Sequence, residues 1–317
     1  MSVFLRFLTG LSAVFIFSLD SQTTNAQTIN AQTINAQTTV IEAVLPNVPY
    51  AKVAELLTDE SLSQALANKV LYGDSNDQYV LHWPAILGAT ANESNERTTQ
   101  ISPALVFVHG GCWLAQFDIK HSLALTAALA QQGFDVYSIE YRRTGNGGEW
   151  PVALQDIQTA LASLSETLNQ KAADKQRPIT LIGHSAGGHL ASLAALELAK
   201  SHNNIHYVGL APITDLVNYA AGENSCQTAT PGFMQGTPST HAATYAQANP
   251  LNFSFAKLAS AQVFSGGEDK IVPAEMARHP DATFTLANEA GHFDWIHPGS
   301  SAFKQLVDHL QSITKHE

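Results

Sequence analysis

Ile179-Thr180-Leu181-Ile182-Gly183-His184-Ser185-Ala186-Gly187-Gly188 is the stretch on which the reading of this chain turns. Four residues of strand character run into Gly-x-Ser-x-Gly, and an apolar helical stretch from Leu190 to Lys200 follows. A strand, a sharp turn and a helix in that order lift the turn's serine hydroxyl above the end of a sheet. The helix N-terminus beneath it favours developing negative charge. Gly183 and Gly187 belong there because a Cβ at either position would meet the neighbouring backbone. An incidental Gly/Ser turn would give the same five letters without the strand before and the helix after. Ser185 is therefore the candidate nucleophile.

Upstream, Val106-Phe107-Val108 runs into His109-Gly110-Gly111-Cys112-Trp113. Glycines directly after a strand let backbone N–H groups face a substrate oxygen. A loop of that kind, ahead of the nucleophile, supplies half of an oxyanion hole; the residue after the nucleophile supplies the rest. The expected donors are the amides of Gly111, Cys112 and Ala186, with His109 as a structural hydrogen-bonding residue rather than a catalyst.

A serine of this kind takes its acid and its histidine, in that order, from downstream. After an apolar strand, Gln262 to Ser265, comes Gly266-Gly267-Glu268-Asp269-Lys270-Ile271-Val272-Pro273. A carboxylate in a glycine-rich loop at a strand's end is well placed, which makes Asp269 the candidate acid. Glu268 and Asp215 are its alternatives. The candidate base is His292 in Ala290-Gly291-His292-Phe293-Asp294-Trp295, where Gly291 lets the loop bend toward the serine. His297, just before Pro298, is the local rival. The chain has 13 histidines, but His202, His206, His241, His279 and His309 sit in no chemical context. Trp113 and Phe293 flank the site in sequence and either wall an acyl pocket or pack in the core. No His-Glu-x-x-His or other dense ligand spacing occurs, so no metal and no cofactor is expected.

Outward from these motifs the chain alternates strand and helix from residue 101 on, which predicts βαβ units and a mostly parallel sheet flanked by helices. Strands are read at Ala104 to Val108, Asp135 to Glu140, Ile179 to Ile182, Tyr207 to Leu210, Gln262 to Ser265 and Ala282 to Leu286. Leu154, Ile157, Leu161, Leu164 and Leu168 mark one face of a helix at 3.6 spacing. Residues 212–260 lack either period and read as a cap-like insertion over the carboxyl edge of the sheet. Ahead of residue 101, Val53, Leu56, Leu57, Leu62, Leu66 and Val70 predict a helix within 41–72. Tyr79 to Leu87 is read as a strand and 88–100 as loop.

On the strength of His109-Gly-Gly-Cys-Trp113, Gly183-His-Ser-Ala-Gly187 and Asp269-x-x-Val-Pro273, the chain resembles α/β-hydrolases of the hormone-sensitive-lipase and acetyl-esterase kind. The Gly-Gly-Cys-Trp form is similar to the feruloyl-esterase-like and kynurenine-formamidase-like branch, as are Tyr141-Arg142, Trp150-Pro151 and Asp156. The likeness spans about 101–298. It implies an α/β-hydrolase fold, a Ser185–Asp269–His292 triad and hydrolysis through an acyl-enzyme. Its substrate would be a small carboxylic ester. An arylformamidase-type amide hydrolase is the alternative, followed by a serine peptidase and by a non-catalytic binding module on the same fold. Two features depart from the pattern: Cys112 stands where the lipase motif has its third glycine, and the chain begins as an exported protein does.

That beginning is a basic residue, Arg6, then a mostly apolar run from Phe7 to Leu19, then small residues near Thr24-Asn25-Ala26. It predicts a signal peptide over 1–26 and a periplasmic or secreted protein. The five-residue repeats of Gln-Thr-x-Asn-Ala that follow are too short and polar to bury a core and read as a disordered linker over 27–40, ahead of a hydrolase domain at 41–317. With 16 Lys and Arg against 27 Asp and Glu, and no basic run, a net charge of -11 argues against nucleic acid or an anionic membrane as partner. No apolar stretch is long enough to span a bilayer. The 45% of hydrophobic residues is enough for one sizeable core. Cys112 and Cys226 are the only cysteines. In an oxidising compartment they bridge if the insertion covers the oxyanion loop; otherwise they are two separate buried thiols.

Overall fold

The computed structural model describes residues 43–56, 67–86, 103–169, 171–172 and 175–315. The expected signal peptide, linker and 88–100 loop lie outside the described residues. The centre is an eight-stranded sheet: β1 (Asn68–Leu71), β2 (Tyr79–Trp83), β3 (Ala104–Val108), β4 (Asp135–Glu140), β5 (Ile179–His184), β6 (Ile205–Leu210), β7 (Ser260–Gly266) and β8 (Thr283–Ala287), in the order β1-β2-β4-β3-β5-β6-β7-β8. β1 and β2 pair antiparallel, as do β2 and β4; every later pairing is parallel.

The central strands β3, β5 and β6 are buried along their whole length. Their near-continuous apolar sequences are what a parallel strand covered on both faces requires. Side chains alternate between the faces, so Val106 and Val108 join one core cluster while Leu105 and Phe107 join the other. On the first face lie α3 (Val152–Ser163) and α4 (Ala186–Leu198); on the second lie α2 (Leu123–Gln131) and α8 (Ser301–Lys315). Residues 186–195 of α4 are all buried, which fixes the helix firmly beneath the serine turn.

Two expectations fail locally. The apolar positions 53–70 do not form one helix: α1 covers only Tyr50–Glu55, and Val70 sits in β1 opposite Val80. An exposed edge strand with few apolar residues leaves a spacing that mimics a helical face; the intervening Leu57, Leu62 and Leu66 lie outside the described residues. The stripe from Leu154 to Leu168 is interrupted at Leu164, where α3 ends and a separate helical turn, Ser165–Leu168, begins. Leu164 and Leu168 are still buried on the same core, which is why the period survives the break.

Between β6 and β7 the insertion forms three short helices, α5 (Leu216–Tyr219), α6 (Ser225–Phe233) and α7 (Ala242–Ala248). α6 opens on a reciprocal cap. The Asn224 side chain accepts from the Gln227 amide at 2.9 Å, and Gln227 Oε1 accepts from the Asn224 amide at 3.0 Å. Among the described residues no helix is long and apolar enough to cross a membrane.

Candidate active site

Ser185 stands between the end of β5 and the start of α4 with φ +56° and ψ −123°, a strained conformation for a residue with a side chain. The surroundings hold it there. Its amide donates to the Leu210 carbonyl at 2.9 Å, tying the turn to β6. A Cβ on Gly183 would land on the Gly187 carbonyl, and one on Gly187 on the carbonyls of Val108 and His109. Those glycines let the turn pass against β3 and close on itself.

The loop after β3 carries the second strained element. Gly111, Cys112 and Trp113 take φ of +104°, +54° and +57° in succession. The Gly111 and Cys112 amides donate to no described residue, which leaves them free for a substrate oxygen. The loop is pinned from behind. The Thr144 amide donates to the Trp113 carbonyl at 2.8 Å. His109 Nε2–H donates to Glu140 Oε1 at 3.0 Å, and Glu140 Oε2 accepts the Ile119 amide at 2.7 Å. Arg143 is ion-paired with the same buried carboxylate. Burial, reinforced by the Arg143 charge, pushes His109 down to about 3, while its Nδ1 faces the Gly110 carbonyl at 2.8 Å, so both ring nitrogens are engaged with acceptors and the residue is structural.

Beyond β7, Asp269 turns inward. Its Oδ1 accepts the amides of Ile271 and Val272, each at 2.8 Å, and its Oδ2 accepts from His292 Nδ1–H at 2.7 Å. A carboxylate only accepts, so the imidazole proton lies on Nδ1 and Nε2 carries its lone pair. Ser185, His292, Gly111 and Cys112 line one cavity of about 300 Å³. A hydroxyl, an imidazole lone pair and unpaired backbone donors around one cavity are the parts that nucleophilic acyl transfer needs.

The rivals lie elsewhere. Asp215 caps α5 through the Asn218 amide at 3.1 Å. Glu268 is half-exposed and lies 3.4 Å from the Lys270 ammonium. His297 Nδ1 accepts the Gly299 amide at 3.1 Å and is not in the cavity lining. One expected wall is corrected: Trp113 is fully buried outside the cavity, stacked on Phe233 with ring centroids 4.8 Å apart, because its left-handed backbone turns the indole into the core. Phe293 does line the cavity. Cys112 and Cys226 are bridged, with Cα atoms 5.0 Å apart, and both line the cavity, so α6 is tied to the oxyanion loop.

Sequence reasoning passed over several residues. His184, the variable letter of the serine motif, donates from Nε2–H to the His292 carbonyl at 3.1 Å and so steadies the histidine loop from below. Tyr50, Phe117 and His121 also line the cavity. Only their apolar or aromatic character marks them in the sequence, and no spacing ties them to Ser185. Among the described residues no cluster of His, Cys, Asp or Glu is arranged to hold a metal ion.

The family model described as BD-FAE matches residues 92–280. Esterase LipC of Mycobacterium tuberculosis is 33% identical over 128 residues, 40% of this chain and 29% of that protein. The kynurenine formamidase of Drosophila melanogaster is 31% identical over 97 residues, 30% of each chain. The chain thus spans under a third of the length of these curated relatives. Among solved structures, esterase B from Lactobacillus rhamnosis superposes with a TM-score of 0.59 at 18% identity, covering 84% of this chain and 94% of that one, a likeness of fold.

Proposed function

Because this chain belongs to the BD-FAE family of α/β-hydrolases, we propose that it is a serine hydrolase that cleaves small carboxylic esters through an acyl-enzyme. The observation that carries the proposal is the 2.7 Å bond from His292 to Asp269 beside the cavity that Ser185 also lines. His292 Nε2 takes the Ser185 hydroxyl proton as Oγ attacks the acyl carbon. The carbonyl oxygen, now an oxyanion, is held by the amides of Gly111, Cys112 and Ala186. The imidazolium, stabilised by Asp269, gives its proton to the leaving alcohol. Water then loses a proton to His292 and attacks the acyl-enzyme, and Ser185 regains its hydroxyl as the acid departs.

Ser185→Ala tests this. It removes the nucleophile and leaves only binding and oxyanion stabilisation, so ester hydrolysis should fall by about 10⁴ or more while the circular dichroism spectrum is unchanged. Retained hydrolysis by the folded variant would reject the triad. A formamide substrate is the second reading, favoured by the likeness to the Drosophila kynurenine formamidase. Rates on N-formylkynurenine against those on aryl and alkyl acetates separate the two. We also propose that the protein is exported and loses residues 1–26, supported by the basic and then apolar start and by a disulfide of the sort that persists in oxidising compartments.

A further inference from the structure

Asp294 is the residue of the histidine motif that the mechanism leaves unused, yet its side chain is fully buried. Oδ1 accepts the Asn47 amide at 3.0 Å; Oδ2 accepts the Val48 amide at 2.7 Å and the Gly291 amide at 3.0 Å. A buried carboxylate is tolerated when donors saturate it in this way. Here the donors come from two places, the residue before His292 and a segment almost 250 positions away in sequence. Further contacts reinforce the fastening. The Val44 amide donates to the Gly299 carbonyl at 3.0 Å. Val48 and Val53 enter the core cluster that holds Trp295 and Ile296. A Cβ on Gly291 would land on the Asn47 side-chain oxygen, so the Asn47 side chain packs closely over this glycine.

The fastened segment leads into the cavity. Tyr50 is the first residue of α1 and lines the cavity with its ring centroid 5.3 Å from that of Phe293 and 6.1 Å from that of Phe117. It is 38% exposed, so it stands at the rim, where it meets an incoming substrate rather than filling core. We propose that Tyr50 forms a wall of the active site, held in place by residues 44–49, which Asp294 locks onto the histidine loop, and that Tyr50 sets the size of the ester group admitted. This rests on the serine-esterase reading. Asp294 is a positioning residue and Tyr50 a specificity-determining one; neither transfers a proton.

The full chain is tested as wild type, Tyr50→Ala, Tyr50→Phe and Asp294→Asn. The substrates are one series of methyl esters from acetate to hexanoate and benzoate, and one series of acetates of alcohols of rising size. The readout is kcat/KM for each bulky ester relative to methyl acetate. Removing a ring from a rim wall should raise that ratio at least about fivefold in one series for Tyr50→Ala, within the span that side-chain size commonly gives in an apolar pocket. Tyr50→Phe, which keeps the ring, should stay within about twofold. Asp294→Asn should shift the ratio in the same direction and lower kcat, because the His292 loop loses its anchor. Amide hydrogen exchange on the wild type tests the lock without any variant: Asn47 and Val48 should be protected, and exchange at the free-peptide rate would overturn it. A Tyr50→Ala ratio within twofold of wild type in both series overturns the specificity role. Fluorophosphonate labelling of wild-type Ser185 separates the two levels, since an unlabelled serine overturns the esterase reading and this proposal together, whereas a labelled serine with unchanged ratios overturns this proposal alone.

Discussion

Asp269, Asp215 and Glu268 are the three candidate acids downstream of Ser185, and their surroundings give them different work. Asp269 faces His292 Nδ1 with two backbone amides behind it; Asp215 caps a helix; Glu268 looks toward solvent. Asp269→Asn places an amide where the imidazole needs an acceptor, so it favours the wrong tautomer and should cut kcat by about 10³–10⁴ with little loss of fold. Asp215→Asn keeps a good cap, and Glu268→Gln changes an exposed group, so both should stay near wild-type activity. Steady-state kinetics on the three variants decides it: a crippled Asp215→Asn would move the acid to the loop after β6. The residues legible from sequence are those whose chemistry is written locally. Gly183 to Gly187 carries its own turn, and Asp269 and His292 each follow a strand. Tyr50 and Asp294 gain their meaning only when residues 44–50 meet the loop after β8, and no local pattern announces a pairing across most of the chain.

At the scale of elements, the loop after β3 is held by the end of β4. Glu140, the last residue of β4, bonds to His109 and to the Ile119 amide and pairs with Arg143, all in the interior. Glu140→Gln would leave the buried guanidinium with only the partly exposed Asp77 as counter-ion, so it should destabilise the fold by roughly 3–5 kcal/mol. Urea unfolding of the variant measures this, and a loss under about 1 kcal/mol would mean that Asp77, 3.5 Å from Arg143, suffices as counter-ion. The same scale shows why some elements were legible and others not. β3, β5 and β6 are short continuous apolar runs between turn residues, a pattern that a doubly covered strand produces unaided. Val70 misled because an exposed edge strand has too few apolar residues to display its period of two. The insertion helices α5, α6 and α7 show no period because they are short and pack on several sides. α6 even contains Pro231, and its start rests on the Asn224–Gln227 cap rather than on an apolar face.

At the scale of the whole molecule, reduction and acid should each lower stability. Cys112 and Cys226 are 114 residues apart, so their bridge removes a long loop's freedom from the unfolded chain, about 4–5 kcal/mol in the chain-entropy picture. Reduction should therefore lower the thermal midpoint, and mass spectrometry of the unfolded native protein should show no alkylatable thiol without reductant. Acid acts through a different set of groups. Burial pushes His121 down to about 3. Burial alone takes His189 to about 4, and burial beside His292 holds His184 well below its ordinary value. In the unfolded chain each returns to about 6.5 and takes up a proton that the folded protein refuses. A lowered folded value means that the stability these histidines allow is fully present above about pH 6.5. It is lost progressively as pH falls toward 4, since the unfolded state then binds more protons. Each withheld proton is worth about 1.4 kcal/mol per pH unit in that window. Ordinary carboxylates, titrating near 4, add little until lower pH. Urea unfolding at pH 7, 6 and 5 should therefore show stability falling with each step. His189→Gln, which keeps an N–H for the Ala248 carbonyl that His189 Nε2 contacts at 2.8 Å, should flatten the slope by close to one proton. Equal stability at pH 7 and pH 5 would show that these histidines are not held neutral in the interior.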